Sequence, residues 1–329
     1  PSSAASDVYK RQAKNQVMRQ LIDRGDVPAE SLWSTASYLA KVIMGCIGDL
    51  FSGANLIQEW LSVSARLIAK SIPPERIEQA KLADTSRRVS DESKTKAAVT
   101  RAAKEQMTSV IWTTALGLPI VQPYRKVKKH QVSTALQSVF IRDPNQNYEV
   151  NPSKQSSAFP PNFIHSLDAT HMILTALECQ SAGLVFASVH DSYWTHACDI
   201  DTMSDVIRDT FVRLHSQDIL VRLRDEFLQR YKGYKIPAAS LTRASMLRSD
   251  REALDAAEAA EAEAAEAEAE VEGDDEDDAA LAPPPRRRRQ RRSDPDAPLF
   301  YELADVLPPI PKKGDFDVNE IKRSLYFFS

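Results

Sequence analysis

One peptide in the middle of the chain places an acidic residue at a turn between two strands. The apolar run Leu184–Ser188 leads without a spacer into Val189-His190-Asp191-Ser192-Tyr193-Trp194. This pattern predicts a buried strand, a bend at His190-Asp191, and a second strand that resumes at Tyr193. A rigid hairpin that carries an acid at its bend is one way to present oxygen ligands to Mg²⁺. The alternative is an ordinary turn aspartate, which is common because Asp bonds its own backbone nearby.

Helical periodicity surrounds this peptide. Apolar residues recur with helical spacing in Ser34–Leu50 and again in residues 55–68. Asn162 follows Pro160-Pro161 and is the predicted N-cap of a helix over residues 163–181, which Gly183 ends. Residues 109–114 and 120–124 have strand character, with a turn at Gly117 and Pro119 between them, and residues 139–141 and 148–150 are a second extended pair. The predicted fold class is therefore α+β, predominantly helical.

Charge is distributed unevenly along the chain. Residues 250–296 contain 17 acidic residues and seven arginines, whereas the remainder has 35 basic and 29 acidic residues, a net charge of +6. Residues 250–298 have charge on every side and no face to bury, so we expect a solvated low-complexity insertion that is helical at most in part. The mildly basic remainder permits a polyanionic partner.

Other features limit the class of protein. The three cysteines are far apart, which argues against a disulfide framework and for a reducing compartment. No apolar run reaches the roughly 18 residues of a membrane span. Residues 1–12 start with Pro rather than Met and carry no pattern, so we expect an assembly scar or disorder there, at the start of a fragment or processed chain.

A second polar group lies just before the hairpin. On a helix, His165, Asp168 and Met172 share one face and His171 points elsewhere. His165 and Asp168 are placed to line a cleft next to the hairpin, or they are simply solvated.

Three further patterns remain open. His165, His171, His190, His196 and Cys198 match no usual zinc spacing, which disfavours structural zinc. The basic stretch Arg125–His130 beside Tyr124 suits either phosphate contacts or a solvated hairpin edge. The arginines of residues 286–292 suit either nucleic acid or the neutralisation of the acidic tract before them.

Several of these segments together resemble one family. Pro161-Asn162-Phe163-Ile164-His165-Ser166-Leu167-Asp168, His190-Asp191-Ser192-Tyr193 and residues 307–314 (LPPIPKKG) resemble the C-terminal part of single-subunit, phage-type DNA-directed RNA polymerases. Residues 112–119 (WTTALGLP) and Gln122-Pro123-Tyr124 are most similar to the mitochondrial branch. The resemblance runs from about residue 13 to the end, interrupted at residues 84–106 and 250–298.

The resemblance implies a right-hand polymerase fold with fingers and palm. Its expected organisation assigns 13–160 to part of the fingers, 161–249 to the palm, and 299–329 to a C-terminal palm or foot segment. Residues 84–106 are expected to be a mobile connection, and residues 250–298 an insertion.

The resemblance also implies a site. Asp191 would bind catalytic Mg²⁺, and two metals would activate the RNA 3′-hydroxyl and stabilise the pyrophosphate leaving group. His190 would position the product end, and His165 would face the nascent base pair. Asp168, Tyr124, Arg125 and Lys126 would lie close to nucleic acid or nucleotide.

The implied partners are a DNA template, an RNA product, NTP substrates and mitochondrial transcription factors, with no membrane. The implied location is the mitochondrial matrix, and we expect no transit peptide in this fragment. The family's second carboxylate, its phosphate-binding Lys and its Tyr-Gly pair are expected upstream of residue 1. We therefore expect this chain alone not to polymerise RNA.

Two other functions remain possible from the sequence. One is a non-catalytic nucleic-acid-binding module that keeps the fold. The other is a family DNA polymerase, because a His-Asp palm turn occurs there too. Residues 112–124 and 307–314 argue against this last alternative.

Overall fold

A computed structural model describes most of the chain. The described residues are 2–25, 27–85, 108–126, 129–134, 136–141, 148–257, 260 and 300–327. Residues 86–106 of the expected connection (84–106) lie outside these ranges, as do residues 258–298 of the expected insertion (250–298), apart from 260. Residues 250–257 of that insertion are helical.

Helices make up most of the described chain. They are α1 (Ser2–Arg24), α2 (Leu32–Leu50), α3 (Ser52–Lys70), α4 (Pro74–Thr85), α5 (Pro152–Ser181), α6 (Ile200–His215), α7 (Ile219–Arg230) and the short α8 (Leu303–Val306). Helix α1 includes residues 2–12, where the sequence shows no helical pattern. The sequence lacked an apolar face there, and helical hydrogen bonds within the backbone do not require one.

The strands of the described residues pair as four antiparallel ribbons. These are β1 (Ile111–Thr113) with β2 (Pro119–Val121), β3 (His130–Ser133) with β4 (Ser138–Ile141), β5 (Ala187–Val189) with β6 (Ser192–Trp194), and β7 (Lys235–Pro237) with β8 (Phe300–Glu302). The predicted turn between β1 and β2 is confirmed, and Gly117 adopts φ +84° within it. Such a positive φ favours glycine, which has no Cβ to clash.

The partner expected for β4 is wrong. We expected residues 139–141 and 148–150 to form a pair, but β4 pairs with β3 through a tight turn in which Thr134 N–H donates to the carbonyl of Gln137 at 2.8 Å. Val150 instead forms an isolated bridge with Arg125. A local hairpin closes a shorter loop than the expected pairing, at a lower entropic cost.

The main hydrophobic core lies between α3 and α5. Trp60, Leu67 and Ile68 of α3 are completely shielded from solvent, as is Phe159 of α5. Trp60 also donates its indole N–H to the carbonyl of Pro308 at 3.0 Å, which fixes the C-terminal segment to this core. Residues of α7, β7 and α8 complete the cluster, so segments distant in sequence hold α5 in place.

Helix α5 begins eleven residues earlier than predicted. Asn151, not Asn162, is its N-cap, and its side chain accepts a hydrogen bond from the Lys154 N–H. Pro160 and Pro161 lie inside the helix, although two prolines remove backbone donors and usually break one. Tight packing of this part of α5 on α3 supplies the compensation, with Phe159 and Pro160 both buried. The boundary expected between residues 160 and 161 falls within this helix.

Among the described residues, no single helix is long and apolar enough to cross a membrane. Helices α2 and α3 reach that length and composition only as a pair, which is bent by 89°.

Candidate catalytic site

The predicted hairpin forms, with His190 and Asp191 as its two turn residues. The expectation that its first strand is buried is wrong, because Ala187 and Val189 are exposed and Ser188 is only half-buried. Val189 and Ser192 are the last paired residues before the turn. His190 has φ +58°, the only positive φ of a non-glycine residue in the described chain. A residue with a Cβ pays about 1–2 kcal/mol for this conformation, and such strain tends to persist at functional sites. The turn therefore presents Asp191 at the tip of a short ribbon.

Both turn side chains face solvent. The His190 and Asp191 side chains are 76% and 78% exposed, and Nδ1 of His190 lies 3.3 Å from Oδ1 of Asp191. An exposed carboxylate retains its water and its free lone pairs. It can therefore accept an incoming cation without displacing a buried partner.

Helix α5 brings its own polar residues to this hairpin. His165 and Asp168 are both exposed on one side of α5. The ring of His165 lies 6.3 Å from the ring of His190, edge to face. The structure therefore places these two histidines, one from each element, side by side as the sequence motifs indicated.

Tyr193 links the two elements behind the turn. Burial, followed by the negative charges of Asp168 and Asp191, raises the pKa of its hydroxyl to about 12. Both carboxylates therefore act on the same hydroxyl, which stays protonated at neutral pH. The sequence motif contained Tyr193, but our site prediction left it out.

His171 is separate from this group, as its position on the helix predicted. It is 4% exposed, and its Nε2 donates to the carbonyl of Ile207 at 3.0 Å. Burial lowers its pKa, and the Ile207 hydrogen bond and the charge of Asp168 oppose that shift in part. His171 therefore serves as a neutral packing residue between α5 and α6.

A buried amide network positions Tyr124 and was missed from the sequence. The Gln122 side chain donates to Oε1 of Gln155 at 2.8 Å, and Gln155 donates back to the Gln122 carbonyl at 3.0 Å. The Asn162 amide donates to Oε1 of Gln122 and to Oη of Tyr124, at 3.1 and 3.2 Å. Asn162 is therefore not a helix cap. It lies one turn before His165 on α5 and orients the side chain of Tyr124. The sequence signal for this role was the position of Asn162 within the motif Pro161–Asp168.

Arg125 and Lys126 point to a neighbouring loop. Arg125 donates to the carbonyl of Tyr148 at 2.9 Å, and Lys126 forms an exposed ion pair with Glu149 at 2.9 Å. These contacts anchor the base of the β3–β4 ribbon. Exposed ion pairs contribute little, so Lys126 can exchange Glu149 for a phosphate.

The Asp191 carboxylate matches the donor chemistry of Mg²⁺, which proteins hold through one or two carboxylates together with substrate phosphates and water. Among the described residues, no group of three or more His, Cys, Asp or Glu side chains is placed to hold a metal ion. The same holds for the set considered for zinc, which is His165, His171, His190, His196 and Cys198. The described part of the chain therefore offers Asp191 as one fitting ligand and does not supply a complete metal site.

Comparison with known sequences identifies the class of protein. A profile of the family described as DNA-dependent RNA polymerase matches residues 6–329, so this chain belongs to that family of phage-type polymerases. The mitochondrial DNA-directed RNA polymerase of Schizosaccharomyces pombe is 42% identical over 224 residues, covering 68% of this chain and 18% of that protein. The mitochondrial enzyme of Neurospora crassa is 41% identical over 238 residues, covering 67% and 17%.

A third relative is DNA-directed RNA polymerase 2A of Nicotiana tabacum, which is 38% identical over 226 residues. That match covers 68% of this chain and 57% of the tobacco protein. The chain thus spans less than a fifth of the two fungal relatives. The comparisons support RNA polymerase over the DNA polymerase alternative.

Proposed function

We propose that this chain is the C-terminal part of a mitochondrial DNA-directed RNA polymerase and carries part of its nucleotidyl-transfer site. The observation that carries the proposal is the strained His190-Asp191 turn, which lies next to His165 of α5 in a chain of this family. The reaction joins the α-phosphate of an NTP to the 3′ end of an RNA, directed by a DNA template.

Each residue of the site has a proposed task. Asp191 holds a divalent cation, and the ordered turn keeps its carboxylate in one position. His190 contacts the RNA 3′ end, and its strained backbone fixes the direction of the ring. His165 faces the nascent base pair from α5, with Asp168 one turn further along.

The proposed ion is Mg²⁺, which the family generally uses. When bound, it lowers the pKa of the attacking hydroxyl and neutralises charge on the leaving group. Asp191 is one ligand, and a second carboxylate has to come from outside the described residues. We therefore propose that the 329-residue chain binds nucleic acid but does not extend RNA on its own.

The proposed partners follow from the family and from the named relatives. They are a DNA template, an RNA product and NTPs, with mitochondrial transcription factors as accessory proteins and the mitochondrial matrix as the location. Within this scheme, residues 13–160 contribute to the fingers and 161–249 to the palm. Residues 299–329 are its C-terminal palm or foot segment.

An Asp191→Asn variant of the full-length polymerase tests the assignment. On a preassembled DNA–RNA scaffold, we expect extension to fall at least about a hundredfold while scaffold affinity stays unchanged, because asparagine lacks the ligand charge. Asp201→Asn is the matched control, because it removes another exposed carboxylate ten residues further along. Near-normal extension by Asp191→Asn would favour the non-catalytic binding module instead.

The isolated chain provides a second test. Scaffold binding without extension supports the proposal that it lacks part of the catalytic site. Primer extension by the purified 329-residue chain would contradict it.

A further inference from the structure

The last described segment of the chain is held to helix α6 by Arg208 and by an exposed ion pair of Lys322 with Asp209 at 2.6 Å. Residues Val318–Arg323 form a 3₁₀ helix that lies along α6. Arg208 of α6 donates from Nη1 to the carbonyls of Ile321 and Ser324, at 2.6 and 2.7 Å. Charge-assisted hydrogen bonds of this length are about twice as strong as neutral ones. Arg208 thus binds the C-terminal segment, residues 318–327, through its backbone.

The same guanidinium group also reaches the aromatic end of that segment. Its central carbon lies 5.6 Å from the ring centre of Phe327, within the range of a cation–π contact. The neighbouring Leu325 and Tyr326 are strongly exposed, whereas Phe327 is partly buried. Phe327 is therefore the residue of this end that enters the protein.

Phe327 packs into the hydrophobic cluster behind the His190-Asp191 turn. This cluster is built on Cys179, Met203 and Ile207, and Tyr193 and Phe186 of the hairpin region pack against it. The ring of Phe327 lies 5.0 Å from the ring of Phe211. Phe211 contacts His171 at 5.4 Å, and His171 contacts Tyr193 at 6.4 Å.

These contacts form a continuous path from Arg208 to the hairpin. Tyr193 is in β6, two residues after Asp191, and lies next to Phe186 at 5.3 Å. The short ribbon has three residue pairs, which are Ala187 with Trp194, Ser188 with Tyr193, and Val189 with Ser192. A three-residue ribbon has few hydrogen bonds of its own, so packing behind it has to determine where its turn lies.

We propose that Arg208 is a positioning residue for nucleotidyl transfer, because it holds Phe327 against the cluster that supports the Asp191 turn. This inference rests on the proposed function of Asp191. Arg208 touches neither substrate nor metal in this account. It acts through Phe327, Phe211, His171 and Tyr193.

A pair of full-length variants on α6 tests the proposal. Arg208→Ala removes the two backbone hydrogen bonds and the ring contact. Arg213→Ala is the matched control, because Arg213 is on the same helix and its ion pair goes to Glu178 at 2.6 Å. The first readout is single-turnover addition of one nucleotide on a preassembled scaffold. The second is hydrogen exchange of residues 184–196 without metal or nucleotide.

We expect Arg208→Ala to lower the rate constant for addition about tenfold or more, as loss of a supporting contact behind a ligand commonly does. KM for the NTP and the scaffold affinity should stay within about twofold of the wild-type values, and amide exchange in the hairpin should accelerate. Arg208→Lys should recover part of the rate, since it keeps a donor and the charge. Arg213→Ala should match the wild type in both readouts.

Phe327→Ala tests the route. If Arg208 acts through this ring, a variant that combines Arg208→Ala with Phe327→Ala should add a nucleotide no more slowly than Arg208→Ala alone. Fully additive losses in the rate constant would contradict an action of Arg208 through Phe327.

The inference and the proposed function fail in different ways. A wild-type rate constant and wild-type hairpin exchange in Arg208→Ala, with Asp191→Asn inactive, would overturn the inference alone. A lower melting temperature with an unchanged rate constant per active site would show a purely structural arginine and also overturn it. Near-normal synthesis by Asp191→Asn would remove the proposed function itself.

Discussion

The rings of His165 and His190 lie 6.3 Å apart, edge to face, and join helix α5 to the turn that carries Asp191. One histidine is held by a long helix that packs on α3, and the other by a strained two-residue turn. Any change that tilts α5 therefore alters the surroundings of the carboxylate. The buried contacts that hold α5 are accordingly the first to test.

The Gln122 amide provides such a contact. We expect Gln122→Leu to lower the free energy of unfolding by about 2 kcal/mol, because its loss leaves the amide groups of Gln155 and Asn162 with fewer partners. Thermal unfolding of this chain, followed by circular dichroism, measures the change.

Gln217→Leu is the control for this substitution. Gln217 is exposed and bonds only to surface groups of Arg213 and Arg222. Its change should stay within about 0.5 kcal/mol. Equal losses in the two variants would contradict the role of the buried network.

Buried His171 predicts a loss of stability in mild acid. Burial holds its pKa below the ordinary value near 6.5, so the folded state resists a proton that the unfolded state accepts. Its contribution is therefore complete above about pH 6.5 and is lost as the pH falls towards the lower folded pKa. Melting temperatures measured between pH 8 and 5.5 should decline below pH 6.5, and less steeply in His171→Gln.

Two other histidines serve as comparisons for the slope of melting temperature against pH. His215 has its pKa lowered in the same direction, by burial and then by the charge of His171, so a residual slope should remain in His171→Gln. Exposed His196, changed to Gln, is the control for loss of an imidazole from the surface. An unaltered slope of melting temperature against pH in His171→Gln would contradict the role of buried His171 in the loss of stability.

The ion pair of Lys126 with Glu149 predicts opposite effects of two substitutions on nucleic-acid binding. In the full-length polymerase, Lys126→Ala should weaken scaffold binding and reduce the slope of log K against log salt by about 0.9, the value for one phosphate contact. Glu149→Gln should tighten binding, because it frees Lys126 for phosphate. Salt titrations by fluorescence anisotropy measure both.

Exposed Lys232, changed to Ala, is the control for lost positive charge. Its salt slope should equal that of the wild type. The proposal for Lys126 fails if all three variants share one slope.

Local sequence patterns predicted the hairpin with its turn, the helix around His165 and its end at Gly183. Each of these depends on nearby residues. At the end of α5, for example, Gly183 has φ +71° and the Leu184 N–H donates to the Cys179 carbonyl, which closes the helix within one turn. The motifs around His165 and His190 were sufficient to bring those two residues to one site.

Features that depend on distant partners were not predictable in this way. Two prolines indicated a helix start at Asn162, but packing on α3 carries α5 through them. The pair Gln122 and Gln155 has no periodic signal, and its role appears only when the fold brings together these two residues, which are 33 positions apart. Arg208 gave no signal either, because its two acceptors lie 113 and 116 residues further along the chain.

The most direct test of Asp191 as a metal ligand is a titration of the full-length polymerase with a divalent cation. Mn²⁺ prefers the same oxygen ligands as Mg²⁺ and is visible by electron paramagnetic resonance. With a DNA–RNA scaffold and a non-reactive NTP analogue bound, Asp191→Asn should bind Mn²⁺ at least about tenfold more weakly than the wild type, and Asp201→Asn should not. Identical binding curves for Asp191→Asn and the wild type would contradict the assignment of Asp191 as a metal ligand.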